Sequence, residues 1–469
     1  MTSSRIRWVL LAPLLTMALI APMTGNAGAA EGRAAPARTS LTGAADQTAD
    51  DGTSAPATTL QSAAFTARES CSRLSADARA SVPDAVTACV SVDAGTDTAP
   101  RTKTRAPALA AGDLAAADLT ADDPAGDGLG TEFEPDADDP EPPAPSCVVT
   151  NPGTWSWSRT GGLCLNGVEV TYTLYDANSK PIGTGLIQVN STLATSYKSL
   201  DLNETITAKL VRVSGDVKSL VVKMQVGCGG GCRTVTKQPW YGAAEMTPGM
   251  EKTGKTKYSG DAFAADTTRS SFRTNYAMYV TMPGAVPIDS SASWSSPAAG
   301  EIRCDKEQPR LRGCVIPTDD IPVLSYSRSH AKYGIVVPIY EEIMRRRGTD
   351  ILHAVNQTKA NANRAATCTP FTNLYPGQTG QDSCDEFPPA STEEGGQDGS
   401  LCAELTPQEV NGVWSAPATW PTRPTSGNET CLRLHITQRA NSSAGGVLGS
   451  LRKYQRLVDG DAFRIEFTA

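Results

Sequence analysis

Twelve cysteines limit the folds open to this chain more than any other feature of its sequence. An even number suits a disulfide framework in an oxidising compartment, and the order of the cysteines favours pairs between near neighbours. The simplest scheme pairs Cys71 with Cys89, Cys147 with Cys164, Cys228 with Cys232, Cys304 with Cys314, Cys368 with Cys384 and Cys402 with Cys431. A zinc knuckle at Cys228 and Cys232 is the alternative, disfavoured because no second close cysteine pair lies beside it.

The N-terminus has the pattern of a secretory signal. Arg5 and Arg7 precede an apolar run over residues 8–20, and small residues follow at Ala27-Gly28-Ala29. The run is shorter than the roughly 20 apolar residues of a membrane helix. We therefore predict a signal peptide at 1–30 and a secreted, extracellular protein that does not enter a membrane.

Residues 31–146 are rich in Ala, Thr, Asp and Pro and poor in aromatics. Such a composition buries too little apolar surface to offset the entropy of ordering. We predict a mostly disordered acidic segment or linker, with a stapled unit around residues 71–89 and a helix near residues 76–80 as the exception. Much of the net charge of −8 lies here, so whole-chain charge does not exclude a nucleic-acid partner.

Residues 147–299 carry short runs with period-two alternation, bounded by turn residues. The runs are VEVTYTLYD, TGLIQVN, ETITAKLVRVS and KSLVVKMQVG. They predict antiparallel strands and an all-β, sandwich-like accessory domain. Trp155 and Trp157 fit a core strand better than a carbohydrate platform.

Residues 300–469 mix both kinds of element. We predict a helix over 340–347 and strands over 432–438 and 462–467, hence a disulfide-stapled α+β domain. The chain as a whole is predicted to be multidomain.

The most informative segment is CDEFPPASTEEGG, residues 384–396, where four carboxylates surround a pair of prolines. Carboxylates packed this closely repel one another unless a cation compensates them. A hard divalent ion bound by oxygen ligands is a natural partner.

This segment resembles the central motif of the NucA/NucB family of secreted bacterial deoxyribonucleases. Upstream, CDKEQPRLRGCVIP is similar to a cysteine-flanked element of actinobacterial members. Downstream, NSSAGGVLG and RLVDGDAF resemble the closing elements of the family. The resemblance extends over about 170 residues in consistent order, and it implies metal-dependent hydrolysis of DNA phosphodiesters with Mg²⁺ or Mn²⁺.

The resemblance also assigns roles to residues. It implies that Asp385 is the general base, that Glu386 and Glu394 hold the metal or orient the base, and that Asn441 offers an amide oxygen to the ion. Family members often carry an acidic residue before that Asn, whereas this chain has Ala440. No histidine lies in the acidic motif, so we expect His353 and His435 to be packed or surface residues.

Positive charge near the closing motifs suggests contacts with DNA phosphates. The candidates for nucleic-acid binding are Arg452, Lys453 and Arg456, and Arg439 is the candidate for steadying the transition-state phosphate.

We therefore predict a secreted, monomeric endonuclease acting on extracellular DNA, with its nuclease domain at 300–469. We expect the sandwich-like accessory domain to be dispensable for cleavage, since the proposed chemistry lies after Gly300. The alternative is a surface- or glycan-binding protein whose nuclease-like domain is inactive.

Overall fold

The computed structural model describes residues 85–93, 153–263, 267–308, 311–317, 321–374, 382–410, 413–415 and 426–469. All of them belong to one compact unit, Thr59–Ala469. The predicted signal peptide, the helix near residues 76–80 and most of the acidic segment lie outside the described residues.

The described chain is mainly β. Its strands are β1 Thr87–Asp93, β2 Thr154–Ser158, β3 Gly162–Tyr175, β4 Pro181–Ala194, β5 Asp201–Gly215, β6 Leu220–Cys228, β7 Arg233–Thr236, β8 Ala244–Met246, β9 Glu251–Ser259, β10 Arg269–Phe272, β11 Thr274–Thr281, β12 Val286–Asp289, β13 Ser291–Ser295, β14 Ile302–Gln308, β15 Leu311–Val315, β16 Val323–Ser327, β17 Ile351–His353, β18 Asp382–Phe387, β19 Ala403–Leu405, β20 Gln408–Val410, β21 Val413–Ser415, β22 Leu432–Thr437 and β23 Ala462–Thr468. Its helices are α1 Val337–Arg347, α2 Gln357–Cys368 and α3 Gln438–Tyr454.

Strands β1–β15 form what we call the β-rich region. Its largest sheet has the order β12-β1-β3-β4-β5-β9-β7, with β2 paired to β3. A four-stranded sheet, β13-β11-β6-β8, and a three-stranded sheet, β10-β14-β15, complete it. The four predicted strand runs are confirmed as β3, β4, β5 and β6, where alternate side chains are buried as the pleat requires.

One hydrophobic cluster joins the large sheet and the four-stranded sheet. It contains Leu165, Ile206, Met278 and Trp294, with the smaller side chains around them. Trp155 belongs to the same cluster and Trp157 packs against it, as the core interpretation predicted. The sandwich geometry itself stays a prediction.

Residues Thr87–Asp93 correct one expectation. The sequence placed them at the end of the stapled unit around residues 71–89 and in the mostly disordered segment after it, yet they form one strand, β1, which pairs with β3 and β12. Ala88 and Val90 enter the hydrophobic cluster, because alternation within this short run supplies an apolar face.

The first residues of the predicted nuclease domain pack with the β-rich region. β14 pairs with β10, and Ile302 and Ile316 lie in the first hydrophobic cluster. The second cluster begins only at Leu324. The domain boundary near Gly300 stays a prediction, and this packing favours placing it after Ile316.

Residues 321–469 form the C-terminal region, in which helices pack beside two small sheets, β16-β23-β17 and β18-β22-β19. The predicted helix is confirmed as α1. A proline lies in its first turn, and Gly348 ends it in the left-handed conformation that glycine adopts without strain. The strands expected near 432–438 and 462–467 are confirmed as β22 and β23.

Four of the six predicted disulfides are confirmed: Cys228–Cys232, Cys304–Cys314, Cys368–Cys384 and Cys402–Cys431. The knuckle-like pair is therefore a disulfide and not a zinc site. Cys89 and Cys164 are also disulfide-bonded, and their predicted partners lie outside the described residues. Among the helices of the described residues, none has the length and apolar character needed to span a bilayer.

Candidate active site

Asp385 lies on the buried face of β18. It shares that face with Phe387, because successive side chains of a strand point to opposite sides. Only 5% of Asp385 is exposed. Burial raises the pKa of its carboxyl group to about 8, against a hydrogen bond from Tyr340 that lowers it, and Glu386 raises it further.

Tyr340 is the partner of Asp385 that the sequence did not reveal. Its hydroxyl donates to Oδ2 of Asp385 at 2.5 Å, and its ring stacks on Phe387 with centroids 4.1 Å apart. Burial, together with the nearby charge of Asp385, raises the pKa of Tyr340 well above its usual value. Tyr340 therefore stays a neutral donor that orients the carboxyl group. The helix over 340–347 was predictable, but its contact with β18 depends on tertiary packing.

Glu386 points to the other side of β18. Nε of Arg364, on α2, lies 3.2 Å from Oε1 of Glu386. Burial raises the pKa of Glu386, and Arg364 partly offsets that shift. The carboxylate is thus already neutralised by a protein cation, which weakens its predicted role as a metal ligand.

Cys368, Cys384 and Glu386 bring three potential ligand atoms together. The two sulfurs are joined in a disulfide, however, and a disulfide sulfur is not the thiolate that binds metals. In this oxidised state the group does not form a metal site. The disulfide instead ties the end of α2 to β18 beside Asp385.

Glu394 is held by β17, away from the contacts of Asp385. Its Oε1 lies 2.7 Å from Nδ1 of His353, and its Oε2 accepts the backbone N–H of His353 at 2.9 Å. Each oxygen of the carboxylate thus has one protein partner, and its predicted role as a metal ligand stays a prediction. His353, expected to be a packed or surface residue, is a half-exposed side chain oriented by the acidic motif.

Asn441 lies in the first turn of α3, whose N-cap, Thr437, accepts a hydrogen bond from the backbone of Ala440. Nδ2 of Asn441 donates to Oγ of Ser383 at 2.8 Å and to the carbonyl of Cys384 at 2.9 Å. The amide group therefore fastens α3 to the strand of Asp385. Its Oδ1 accepts no hydrogen bond from the described residues and is open to another partner.

The predicted basic residues of α3 have different environments. Arg439 is exposed in the first turn. Arg452 donates to the carbonyl of Val355 at 2.7 Å, and burial lowers its pKa. Lys453 is buried with its Nζ over the ring of Tyr454. The predicted DNA contacts of Arg452 and Lys453 stay untested.

Arg456 requires a correction. Its side chain is fully buried, and its guanidinium forms an ion pair with Asp305 of β14. A side chain without exposed surface, already paired with a carboxylate, is not available to DNA phosphates. The predicted DNA contact of Arg456 is therefore wrong in this structure.

His435 is packed, as expected, but in a charged setting that the sequence did not reveal. Its Nδ1 lies 2.8 Å from Oδ2 of Asp382, and its Nε2 lies 3.0 Å from Oε1 of Glu404. Arg433 pairs with the other oxygen of Glu404 at 2.7 Å. These side chains meet because β18, β22 and β19 are neighbours in one sheet, and they link its three strands from within.

Comparisons with known proteins give one family. The family model described as Deoxyribonuclease NucA/NucB matches residues 340–413. This range contains Tyr340, Arg364, Asp385, Glu386 and Glu394, and the match confirms the predicted resemblance. No curated protein matched the chain.

Among solved structures, the chain is similar to the native conformation of E. coli alpha-2-macroglobulin at 14% identity and a TM-score of 0.17. The similarity covers 28% of this chain and 8% of that one. A similarity of this size supports no conclusion about fold or function.

Proposed function

Since the C-terminal part of this chain carries a NucA/NucB deoxyribonuclease domain, we propose that the protein is an endonuclease that hydrolyses DNA phosphodiester bonds without strong sequence preference. The observation that carries the proposal is Asp385, a buried carboxyl group in the matched range, to which Tyr340 is the one side-chain donor among the described residues. A carboxylate without a protein cation beside it is free to take a proton.

Asp385 acts as the general base. Water that attacks phosphorus must lose a proton, and a positioned carboxylate accelerates this step by about 10² to 10⁴. A base works best when its pKa lies near the operating pH, and burial places the pKa of Asp385 at about 8. Tyr340 positions the carboxyl group through its hydrogen bond.

In the predicted ligand set of Glu386, Glu394 and Asn441, the two glutamates already have protein partners, Arg364 and His353. The Oδ1 of Asn441 remains as an oxygen donor beside β18. This fits Mg²⁺ or Mn²⁺ held through one or two protein oxygens, with waters and substrate phosphates as the other ligands. When bound, the ion stabilises the negative charge that develops on the phosphate.

Two further side chains take supporting roles. Arg439, exposed in the same helical turn as Asn441, faces solvent and is available to the transition-state phosphate. Glu394 orients His353. The other predictions stand as parts of the proposal: a secreted monomer, with a signal peptide at 1–30 and an accessory sandwich before the nuclease domain. No feature of the described residues favours an inactive binding protein.

The test is a plasmid-degradation assay on the full chain with Mg²⁺ or Mn²⁺, with and without EDTA. We expect cleavage with either ion and loss of cleavage in EDTA. Full activity in EDTA would contradict the metal requirement, whereas inactivity with every divalent ion would contradict the nuclease assignment.

A further inference from the structure

The end of α3 lies against the β-rich region through a buried ion pair. Arg456 donates from Nε to Oδ2 of Asp305 at 3.0 Å and from Nη1 to the carbonyl of Tyr197 at 2.6 Å. Both charged side chains are fully buried. Tyr454, the last residue of the helix, packs its ring edge-on against Tyr197 with centroids 5.2 Å apart.

A second ionic contact lies beside the first, with the charges reversed. Asp461, which follows α3, lies 2.6 Å from Nη2 of Arg159 and 2.7 Å from Nη1 of Arg303. Burial acts to raise the pKa of Asp461, but the two arginines outweigh it and hold that pKa below its usual value. The C-terminal region thus supplies one arginine and one aspartate, and each forms an ion pair with residues of opposite charge in the β-rich region.

The same two arginines satisfy backbone carbonyls where α3 ends. Arg159 donates to the carbonyl of Gln455 at 2.7 Å, and Arg303 donates to the carbonyl of Arg456 at 2.8 Å. Carbonyls at a helix C-terminus have no partner within the helix and carry partial negative charge, which cations stabilise. The β-rich region therefore provides the C-terminal cap of α3.

We propose that the β-rich region is a working part of the nuclease, because it fixes the position of α3 through what we call the α3 anchor: Arg159, Arg303, Asp305, Arg456 and Asp461. The proposal rests on the function proposed above. The anchor holds one end of α3, and Asn441 fastens the other end to the strand of Asp385. A helix of 17 residues is a rigid rod of about 25 Å, so its orientation at one end affects the other.

The anchor residues are positioning residues, since none of them touches the reacting atoms. Neither region satisfies the anchor alone. Without β14, Arg456 loses its carboxylate partner, and without α3, Asp305 keeps only the more distant Arg303, whose Nε lies 3.9 Å from its Oδ2. A buried charge without its partner is strongly unfavourable. The β-rich region is then needed for full cleavage, contrary to the expectation that the accessory domain is dispensable.

The experiment compares two variants of the full chain on strand β14. Asp305→Asn removes the buried charge that faces Arg456. Glu307→Gln, two residues along, removes a partly exposed carboxylate that pairs with Arg269 at the rim of the same contact. For each variant we measure kcat, KM for DNA and the Mn²⁺ concentration that gives half-maximal activity. All measurements are made well below the melting temperature.

For Asp305→Asn we expect kcat to fall by at least about tenfold and the half-maximal Mn²⁺ concentration to rise, with KM for DNA within about twofold of wild type. Glu307→Gln should stay within about twofold on all three measurements. A folded Asp305→Asn with wild-type kcat and Mn²⁺ response overturns the proposal, as does an equal loss in both variants.

If Asp305→Asn does not fold, Arg159→Lys decides the question by the same measurements. It keeps the positive charge but loses the planar donor fork that bridges Asp461 and the carbonyl of Gln455. A lower kcat with unchanged KM supports the anchor, and unchanged values overturn it. A wild-type chain that cleaves no DNA would instead contradict the proposed nuclease function.

Discussion

Asp305 on strand β14 and Asp385 on strand β18 are both buried, and their carboxyl groups differ in what faces them. Asp305 on β14 lies against the guanidinium of Arg456. Asp385 on β18 receives a hydrogen bond from the phenol of Tyr340. The first carboxylate is neutralised by a protein cation and serves the structure. Among the described residues, the second receives a side-chain hydrogen bond only from the neutral Tyr340, and burial raises its pKa to about 8. The proposed function uses this carboxyl group for proton transfer.

A third buried carboxylate limits how far this contrast can be extended. Glu204 in the β-rich region accepts hydrogen bonds from the hydroxyls of Tyr258 at 2.6 Å and Tyr276 at 2.7 Å, and burial raises its pKa. It resembles Asp385 in chemistry but lies in the hydrophobic cluster between two sheets, outside the range matched to the nuclease family. A raised pKa therefore indicates function only together with the place of the residue in the fold.

The largest expected effect is on Asp385→Asn. The amide keeps the shape and the hydrogen bond from Tyr340 but cannot accept a proton. We expect kcat/KM to fall by about 10² to 10⁴ with the fold intact by circular dichroism.

A Mn²⁺ titration separates two roles for Asp385. Activity that returns at high Mn²⁺ would assign the residue to metal binding, whereas a loss that does not respond fits the base. Glu204→Gln is the matched control and should leave turnover unchanged. Near-wild-type turnover in folded Asp385→Asn would show that Asp385 is not the base, which would end the contrast with Asp305. Glu386 would then be the next candidate.

Tyr340→Phe should have the next largest effect. The hydroxyl lowers the pKa of Asp385, so its removal raises that pKa further and reduces the fraction of carboxylate at neutral pH. A hydrogen bond to a charged group contributes about 1.5 to 3 kcal/mol, which corresponds to roughly 10- to 100-fold in kcat/KM near pH 7. The acidic limb of the pH–rate profile should move to higher pH, and activity at high pH should recover. A uniform loss at every pH would contradict this explanation.

The smallest expected effect is on stability. The pKa of Asp385 is about 8 in the folded chain against an ordinary value of 3.8, so between these values the folded state holds a proton that the unfolded state releases. Stability from this group is therefore complete below about pH 4 and is lost as pH rises through 8. We expect Asp385→Asn to melt at a higher temperature than wild type at pH 9, with the difference shrinking towards pH 4. A difference independent of pH would contradict the raised pKa.

Much of the candidate site was visible in the sequence. The acidic motif identified Asp385, and the cysteine order gave the four disulfides that the structure describes, because short sequence separations leave few alternative pairs. The sequence did not identify Tyr340, Arg364 or His353 as partners of the motif. These residues lie 45, 22 and 41 positions from the carboxylates they contact, and no local pattern encodes contacts over such separations.

Arg456 shows which properties the sequence determines and which depend on the tertiary structure. By itself, the sequence determined the strand and helix patterns, the disulfide order and the family motif, because these depend on side-chain periodicity and local spacing. Positive charge near the closing motifs made Arg456 a candidate for DNA contact and Arg439 a candidate for steadying the transition-state phosphate. Only the tertiary structure separated them: it left Arg439 exposed and placed Arg456 against Asp305, 151 residues away in sequence. Charge alone does not decide function, because burial and the opposite charge determine whether a side chain can reach a ligand.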